Sequence, residues 1–297
     1  MHVVLFGAGA MACLFAARLA RVAQVTLVDT WKEGITAIQE RGILCEDSRG
    51  SRTVQVHAEH AGSPARPRDL AIVLVKSWQT AWVADCLSGY LSPQGIAISL
   101  QNGIGNLELL GARAFPGSTA EGATLLGPGH VRSGGSGPTH VVAPEWVVAL
   151  LCGADFESYR CSVSHAESLL WGKLAISCGI NALTALLRVP NGELLRRPNA
   201  SDLMLRATAE CAAVAQAKGI GLPFPDPAAQ VREVAERTAD NRSSMFQDIL
   251  RGAPTECDAI NGAVVREGGL AGIATPVNEV LWKLVRAAVQ LGRKDSR

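Results

Sequence analysis

The chain has 297 residues, which is enough for two domains that each bury a core. Its 28 basic and 27 acidic residues leave a net charge of +1 without basic runs, which argues against a nucleic-acid or membrane-surface partner and favours a small molecule bound in a cleft between domains. Eight scattered cysteines form no C-x-x-C pair and no metal-ligand cluster, so we expect free thiols in a reducing cytoplasm and no metal site.

The first thirty residues have the pattern of a strand, a tight turn and a helix. A signal or membrane segment is disfavoured because no basic stretch precedes the uncharged run, which is also short and contains two glycines. Continuous apolar runs predict strands buried on both faces, and apolar residues at helical spacing predict helices. The predicted elements are a strand at Val3–Phe6, a helix at Ala10–Ala20, a strand at Val25–Val28 and a helix at Lys32–Arg41.

The remaining pattern predicts an α/β chain with an N-terminal Rossmann-type parallel sheet and a C-terminal all-helical domain. Residues 42–57 read as a hairpin, 117–140 as irregular β structure, and residues from 165 onward as helices that end before a frayed tail at 292–297. The predicted domains are 1–164 and 165–297. Two more buried strands are expected at Leu70–Val75 and Ile96–Leu100.

A glycine-rich motif lies between the first strand and the first helix. Gly7, Gly9 and Ala12 match the dinucleotide fingerprint G-x-G-x-x-A, in which the first glycine permits the turn and the second lets the backbone approach a pyrophosphate. The helix N-terminus supplies N–H donors for that anion. A purely structural glycine turn is the alternative. The predicted cofactor-binding residues of this motif are Gly7, Ala8, Gly9, Ala10 and Met11.

Asp29 ends the second predicted strand, 20 residues after Gly9. A carboxylate at this position accepts hydrogen bonds from the adenosine ribose and repels a 2′-phosphate, so it favours NADH over NADPH. Lys32 could partly offset that repulsion. The alternative is that Asp29 caps the helix that follows it.

Lys173, Ser177 and Asn181 stand at i, i+4 and i+8 within an otherwise apolar helix. A desolvated lysine has a readily shifted pKa and can donate a proton to a substrate oxygen. The alternative is a lysine whose stem lies on apolar surface while its ammonium reaches water.

Six segments, in this order along the chain, resemble the ketopantoate reductase (2-dehydropantoate 2-reductase) family. The resemblance implies a Rossmann domain, a helical domain, and reduction of an α-keto acid by a nicotinamide hydride. The segments are GAGAMA at 7, VKSWQT at 75, LQNGIGNLE at 100, GPGHVRSGGSGPTH at 127, WGKLAISCGINALTALLRVPNGELL at 171 and SSMFQDILRGAPTECDAING at 243.

The resemblance also implies roles for single residues. Lys173 matches the catalytic general acid, and Glu256 matches its acidic partner, which would orient the lysine and hold it protonated. Asn181 and Ser244 match substrate-binding residues, and Lys76 and Asn102 match residues that line the cofactor site.

Each of the last three assignments has a structural alternative. Lys76 could form a surface salt bridge, Asn102 could simply form a turn before Gly103, and Glu256 could lie in the first turn of a helix after Pro254.

Two positions depart from the family pattern. Ser177 stands where a second substrate-binding asparagine is usual. The shorter side chain weakens binding of a distal hydroxyl on the substrate. Asp29 and Thr30 stand where an arginine commonly reads the 2′-phosphate of NADPH, the family's usual cofactor, which remains possible here.

We therefore expect a cytoplasmic oxidoreductase that reduces the C2 carbonyl of ketopantoate or a related branched α-keto acid. A homodimer is left open. One alternative is an NAD-dependent D-2-hydroxy acid dehydrogenase of the same family, which the departures at Asp29 and Ser177 favour. A second alternative, from another class, is a non-catalytic dinucleotide sensor, which would have no need of a proton donor.

Overall fold

The structure is a computed structural model that describes residues 1–292. Of the frayed tail expected at 292–297, Gly292 instead ends the last helix, and the rest lies outside the described residues. The chain forms two compact units. The first comprises residues 1–101 and 106–166, and the second comprises residues 102–105 and 167 onward.

The first unit contains twelve strands and five complete helices among its described residues. The strands are β1 His2–Phe6, β2 Gln24–Asp29, β3 Ile43–Asp47, β4 Gly50–Val54, β5 His57–His60, β6 Arg68–Val73, β7 Leu91–Ser99, β8 Ala114–Thr119, β9 Gly122–Gly127, β10 His130–Gly135, β11 Thr139–Val141 and β12 Ser158–Arg160. The helices are α1 Ala10–Leu19, α2 Lys32–Arg41, α3 Thr80–Tyr90, α4 Asn106–Leu110 and α5 Glu145–Gly153.

The main sheet has eight strands in the order β12-β11-β8-β7-β6-β1-β2-β5. Every neighbouring pair in it is parallel except β8 with β11. This confirms the predicted Rossmann-type sheet. The order reverses direction at β1, so β2 lies on one side of it and β6 on the other, and ligands collect at the carboxyl ends of strands at such a point.

The central strands are uniformly apolar because both faces of the sheet are covered. In β1, Val3 and Leu5 pack into one core cluster with α1, whereas Val4 and Phe6 pack into a second cluster on the opposite face. All four side chains are fully buried. A strand buried on both faces cannot show the alternation of a half-exposed strand, which is why its signal is a continuous apolar run.

A second, four-stranded sheet has the order β4-β3-β10-β9. The hairpin predicted for residues 42–57 is present as β3 with β4. Its pairing with the 117–140 region was not predicted: β10 runs parallel to β3, with His130 opposite Leu44. Such a long-range pairing leaves no periodic signal in either segment.

The second unit is helical, and no strand occurs after Arg160 in residues 161–292, which confirms the predicted helical domain. Its helices are α6 Val163–Leu187, which begins in the first unit, α7 Pro198–Ala217, α8 Pro227–Arg237, α9 Ser244–Leu250, α10 Asn261–Ala271 and α11 Pro276–Gly292. By length and composition α6 could cross a membrane, but 61% of the qualifying stretch is buried inside the protein, as in the core helix of a globular unit.

Candidate functional site

The two glycines of the N-terminal motif have different structural roles. Gly7 has φ +127°, and a Cβ there would lie 3.2 Å from the Ala12 Cβ and 3.3 Å from the Leu74 backbone, so the fold itself requires glycine. Gly9 has an ordinary φ of −79°, and a Cβ there would meet no protein atom within 4 Å. Among residues 1–292 nothing requires glycine at position 9, whereas a phosphate approaching the backbone would, so the loop fits a dinucleotide.

The N-terminus of α1 offers donors to that phosphate. Gly9 is the N-cap residue and provides no side-chain cap, and the first turn contains no acidic residue. The amides of Ala10 and Met11 therefore have no acceptor within the helix, and the positive end of the helix dipole is not neutralised by its own side chains.

Asp29 lies at the end of β2 and is engaged by the protein itself. Its Oδ2 accepts a hydrogen bond from the Ala8 amide at 2.6 Å, and its Oδ1 accepts from the amides of Thr30 at 2.6 Å and Trp31 at 3.1 Å. The residue is only 4% exposed. The carboxylate thus fixes the turn before α2 and ties that turn to the glycine-rich loop. It does not cap α2 itself, whose N-cap residue is Trp31 and which has no side-chain cap bond.

Gln79 is a residue of this region that the sequence reasoning missed. Its Nε2 lies 3.2 Å from both the Asp29 Oδ1 and the Thr30 Oγ1, on a short 3-10 helix at Ser77–Gln79. The family resemblance of the VKSWQT segment assigns a role to Lys76 but none to Gln79. Gln79 and the exposed Thr30 are therefore polar side chains beside Asp29, the residue expected to meet the cofactor ribose.

Lys76 immediately precedes that 3-10 helix, and a buried polar network holds residues on either side of it. The Gln101 Nε2 donates to the Val75 carbonyl at 3.1 Å and to the Thr80 Oγ1 at 2.8 Å. Thr80 Oγ1 and Asn106 Oδ1 lie 2.9 Å apart. Because buried polar groups are costly unless paired, this network fixes the turn that carries Lys76.

In the second unit, Lys173, Ser177 and Asn181 share one face of α6, and each is partly exposed. The neighbouring Leu174 and Cys178 are buried. Burial lowers the pKa of Lys173 from the 10.5 of an ordinary lysine, and the charge of Glu256 acts in the opposite direction and raises it. The lysine is therefore close enough to Glu256 to feel its charge.

Glu256 is 3% exposed and lies in a turn before α10, not in the first turn of a helix. Its Oε2 accepts a hydrogen bond from the Asn102 Nδ2 at 3.1 Å. The structure thus places Asn102 beside Glu256. The cofactor contact that the family resemblance implies for Asn102 stays a prediction.

The remaining candidates lie near the start of α9 and along α6. Neither the Ser177 nor the Asn181 side chain has a hydrogen-bond partner among residues 1–292. Ser244 is the first residue of α9. The preceding Ser243 caps this helix through the Phe246 amide, and the Ser243 hydroxyl lies 2.7 Å from that of Thr184 on α6. This bond fixes the start of α9 against α6. Within the described residues, no group of three or more His, Cys, Asp or Glu could hold a metal ion.

Comparison with known proteins assigns both parts of the chain to one family. Residues 3–145 match the profile of ketopantoate reductase PanE/ApbA, and residues 166–290 match that of its C-terminal domain. The chain is 39% identical to 2-dehydropantoate 2-reductase of Archaeoglobus fulgidus over 73% of its own length and 76% of the relative. It is 33% identical to the enzyme of Halobacterium salinarum over 98% of its length and 100% of the relative.

Comparison with solved structures supports the same family assignment. A PanE/ApbA family ketopantoate reductase from Ralstonia eutropha JMP134 superposes with a TM-score of 0.91 at 32% identity, over 99% of this chain and 100% of that one. D-mandelate dehydrogenase in a ternary structure with NADH and anilino(oxo)acetate superposes with a TM-score of 0.92 at 25% identity, over the same shares of the two chains. With both of its units matched, this chain belongs to the ketopantoate reductase family of NAD(P)H-dependent oxidoreductases.

Proposed function

We propose that this protein reduces the C2 carbonyl of ketopantoate, or of a closely related branched α-keto acid, to the 2-hydroxy acid. The observation that carries the proposal is the partly buried Lys173 under the influence of the Glu256 charge, with the unpartnered Ser177 and Asn181 on the same helix face. The exposed polar atoms of these two side chains are available to hydrogen-bond a ligand. The relatives named as 2-dehydropantoate 2-reductases support the choice of substrate.

The chemistry assigned to the chain is a proton transfer. A bound reduced nicotinamide would supply the hydride for C2. The Nζ of Lys173 gives a proton to the carbonyl oxygen as its C–O π bond breaks, so that an alcohol forms. Glu256 keeps the lysine charged before the transfer, and Ser244 and Asn181 bind the substrate's carboxylate and hydroxyl groups.

We further propose a preference for NADH. Thr30 replaces a cation that would attract a 2′-phosphate, and the Asp29 carboxylate lies 3.3 Å from the Thr30 hydroxyl. Because the carboxylate is already engaged by backbone amides, its main effect on NADPH is expected to be charge repulsion, with ribose contacts left to Thr30 and Gln79. NADPH remains the alternative that the titration below distinguishes.

A second candidate is a D-2-hydroxy acid dehydrogenase that works with NAD. Ser177 favours it, since a serine in place of a longer amide leaves room for a bulkier, hydroxyl-free side chain. The similarity to D-mandelate dehydrogenase supports it as well. A non-catalytic dinucleotide sensor would bind cofactor without turnover. The cytoplasmic location and a homodimer stay predictions.

The test is a panel of α-keto acids assayed with each reduced cofactor by the loss of nicotinamide absorbance. Ketopantoate is compared with 2-oxoisovalerate, which lacks the distal hydroxyl, and with benzoylformate, which carries an aromatic ring. The highest kcat/KM for ketopantoate supports the proposal, and the highest value for benzoylformate supports the dehydrogenase. Cofactor binding without turnover of any α-keto acid would support the non-catalytic dinucleotide sensor.

A further inference from the structure

Asn102 contacts a buried carboxylate. Its Nδ2 donates to the Glu256 Oε2 at 3.1 Å, and Glu256 is 3% exposed. A carboxylate withdrawn from water needs hydrogen-bond donors to stay charged in a fixed orientation. Asn102 supplies one of them from a part of the chain 154 residues away.

The segment that carries Asn102 is fixed to the same turn that carries Glu256. Gly103 has φ +77°, and a Cβ there would lie 2.3 Å from the Ala259 carbonyl oxygen, so only glycine allows this approach. The Ile104 amide donates to that same Ala259 oxygen at 3.2 Å. The Ala259 amide in turn donates to the Glu256 carbonyl at 3.0 Å. Donor and acceptor of the Asn102 bond are therefore held on one backbone framework.

We propose that Asn102 is a positioning residue that fixes the Glu256 carboxylate towards Lys173 and acts on the reaction through Glu256. Its importance for catalysis rests on the proposed function, but the interaction itself does not. The physical reason is that a neutral donor stabilises the charged carboxylate, and a fixed carboxylate stabilises the charged lysine.

This role differs from the two others open to Asn102. A residue that lines the cofactor site would change cofactor affinity and leave Lys173 unaffected. A residue that only forms the turn before Gly103 would lower stability, and its effect would add to that of any change at Glu256. A positioning residue has no further effect once its target is removed.

The experiment is a double-mutant cycle of wild type, Asn102→Ala, Glu256→Gln and the double variant, measured on the cofactor-free protein. Competitive acetylation with acetic anhydride at several pH values, read by peptide mass spectrometry, gives the apparent pKa of Lys173. The exposed Lys283 serves as the internal reference. Asn199→Ala, an exposed asparagine of the same unit, is the matched control.

We expect Asn102→Ala to lower the Lys173 pKa by about 0.5 to 1 unit, Glu256→Gln to lower it further, and the double variant to match Glu256→Gln alone. Asn199→Ala should change nothing. An unchanged Lys173 pKa in Asn102→Ala, additive effects in the double variant, or a change confined to cofactor affinity would each overturn the proposal.

The test gives a clear result even if the Asn102→Ala variant does not fold or the protein does not reduce ketopantoate. If Asn102→Ala does not fold by circular dichroism, Asn102→Ser takes its place, because serine keeps the turn propensity but its shorter side chain does not reach Glu256. Since acetylation needs neither substrate nor turnover, a protein inactive on ketopantoate would overturn the proposed function and leave the result on Asn102 standing.

Discussion

The Asp29 carboxylate and the Ala8 amide are joined by a 2.6 Å hydrogen bond across 21 residues of sequence. The acidic residue expected to select the cofactor thus also supports the loop expected to hold its pyrophosphate. A change at Asp29 should therefore alter stability and cofactor choice together, and the two effects can be measured separately.

For Asp29→Ser we expect the preference for NADH, at least about tenfold in the wild type, to fall mainly because NADPH binds better, since repulsion of this kind is worth about 1 to 4 kcal/mol. The buried amide of Ala8 loses its acceptor, so the free energy of unfolding should fall by about 1 to 3 kcal/mol. Titration with both reduced cofactors, at two salt concentrations, and urea unfolding measure the two effects. Tighter binding of NADPH than of NADH by the wild type would contradict the preference.

Gly7 and Gly9 provide a matched pair of substitutions. Gly9→Ala should leave the urea midpoint nearly unchanged, because the added Cβ meets no protein atom, but should weaken cofactor binding. Gly7→Ala should destabilise the fold, because φ is +127° and the Cβ crowds Ala12 and Leu74. The pair is compared by denaturant unfolding and cofactor titration. Full cofactor affinity in Gly9→Ala would remove the main structural argument for phosphate binding at this loop.

Lys173→Ala should fold and bind cofactor but lose about 10²- to 10⁴-fold in kcat, the usual contribution of a general acid. Lys283→Ala, which removes an exposed lysine paired with Glu279, is the control. Steady-state kinetics and cofactor titration separate chemistry from binding. A rate close to that of the wild type would mean that another group supplies the proton.

The pH dependence of the reduction follows from the burial of Lys173. The lysine must be protonated to act as an acid, and burial lowers its pKa below 10.5 although Glu256 partly opposes the shift. The rate should therefore fall as pH rises through a value below that of an exposed lysine, and Glu256→Gln should move this fall to lower pH. A kcat/KM profile in the reducing direction measures both. A descending limb unmoved by Glu256→Gln would exclude Lys173 as its origin.

Ser177→Asn should improve selectivity for ketopantoate over 2-oxoisovalerate, because a longer amide at this point of α6 can reach the distal hydroxyl. One hydrogen bond to a neutral group contributes only about 0.5 to 1.5 kcal/mol, so the ratio of kcat/KM values should change by a factor of roughly ten at most. If the ratio stays constant or reverses, position 177 does not face that hydroxyl.

The sequence predicted those features that depend on local pattern. Three such features are the apolar run of β1, the turn at Gly7, and the polar residues Lys173, Ser177 and Asn181 on one face of α6. Each lies within one or two elements, so that periodicity and spacing in the sequence reveal it. The pairing of β3 with β10 and the bond from Asp29 to Ala8 join segments that fold together only in the tertiary structure. No periodicity encodes such contacts.

The candidate site likewise contains residues that local pattern predicts and contacts that it does not. Gln79 was missed because a glutamine on a short 3-10 helix has no distinctive spacing, and its role depends on the position of Thr30, which is 49 residues distant. Asn102 was selected, but its partner was not foreseen, because the grouping of residues 102–105 with the helical unit cannot be seen in the linear sequence. Motif resemblance identified the residue without identifying what it touches.

The grouping of residues 102–105 with the second unit also bears on how family members can be recombined. A chimera of two relatives joined near residue 166 would take Gly103 from one parent and the Ala259 carbonyl that it approaches from the other. Where the first parent has a residue other than glycine at position 103, the hybrid should fold poorly, because a Cβ there would lie 2.3 Å from the carbonyl oxygen of residue 259. Hybrids that also exchange codons 102 to 105 should recover, because the interlocking residues are then inherited together.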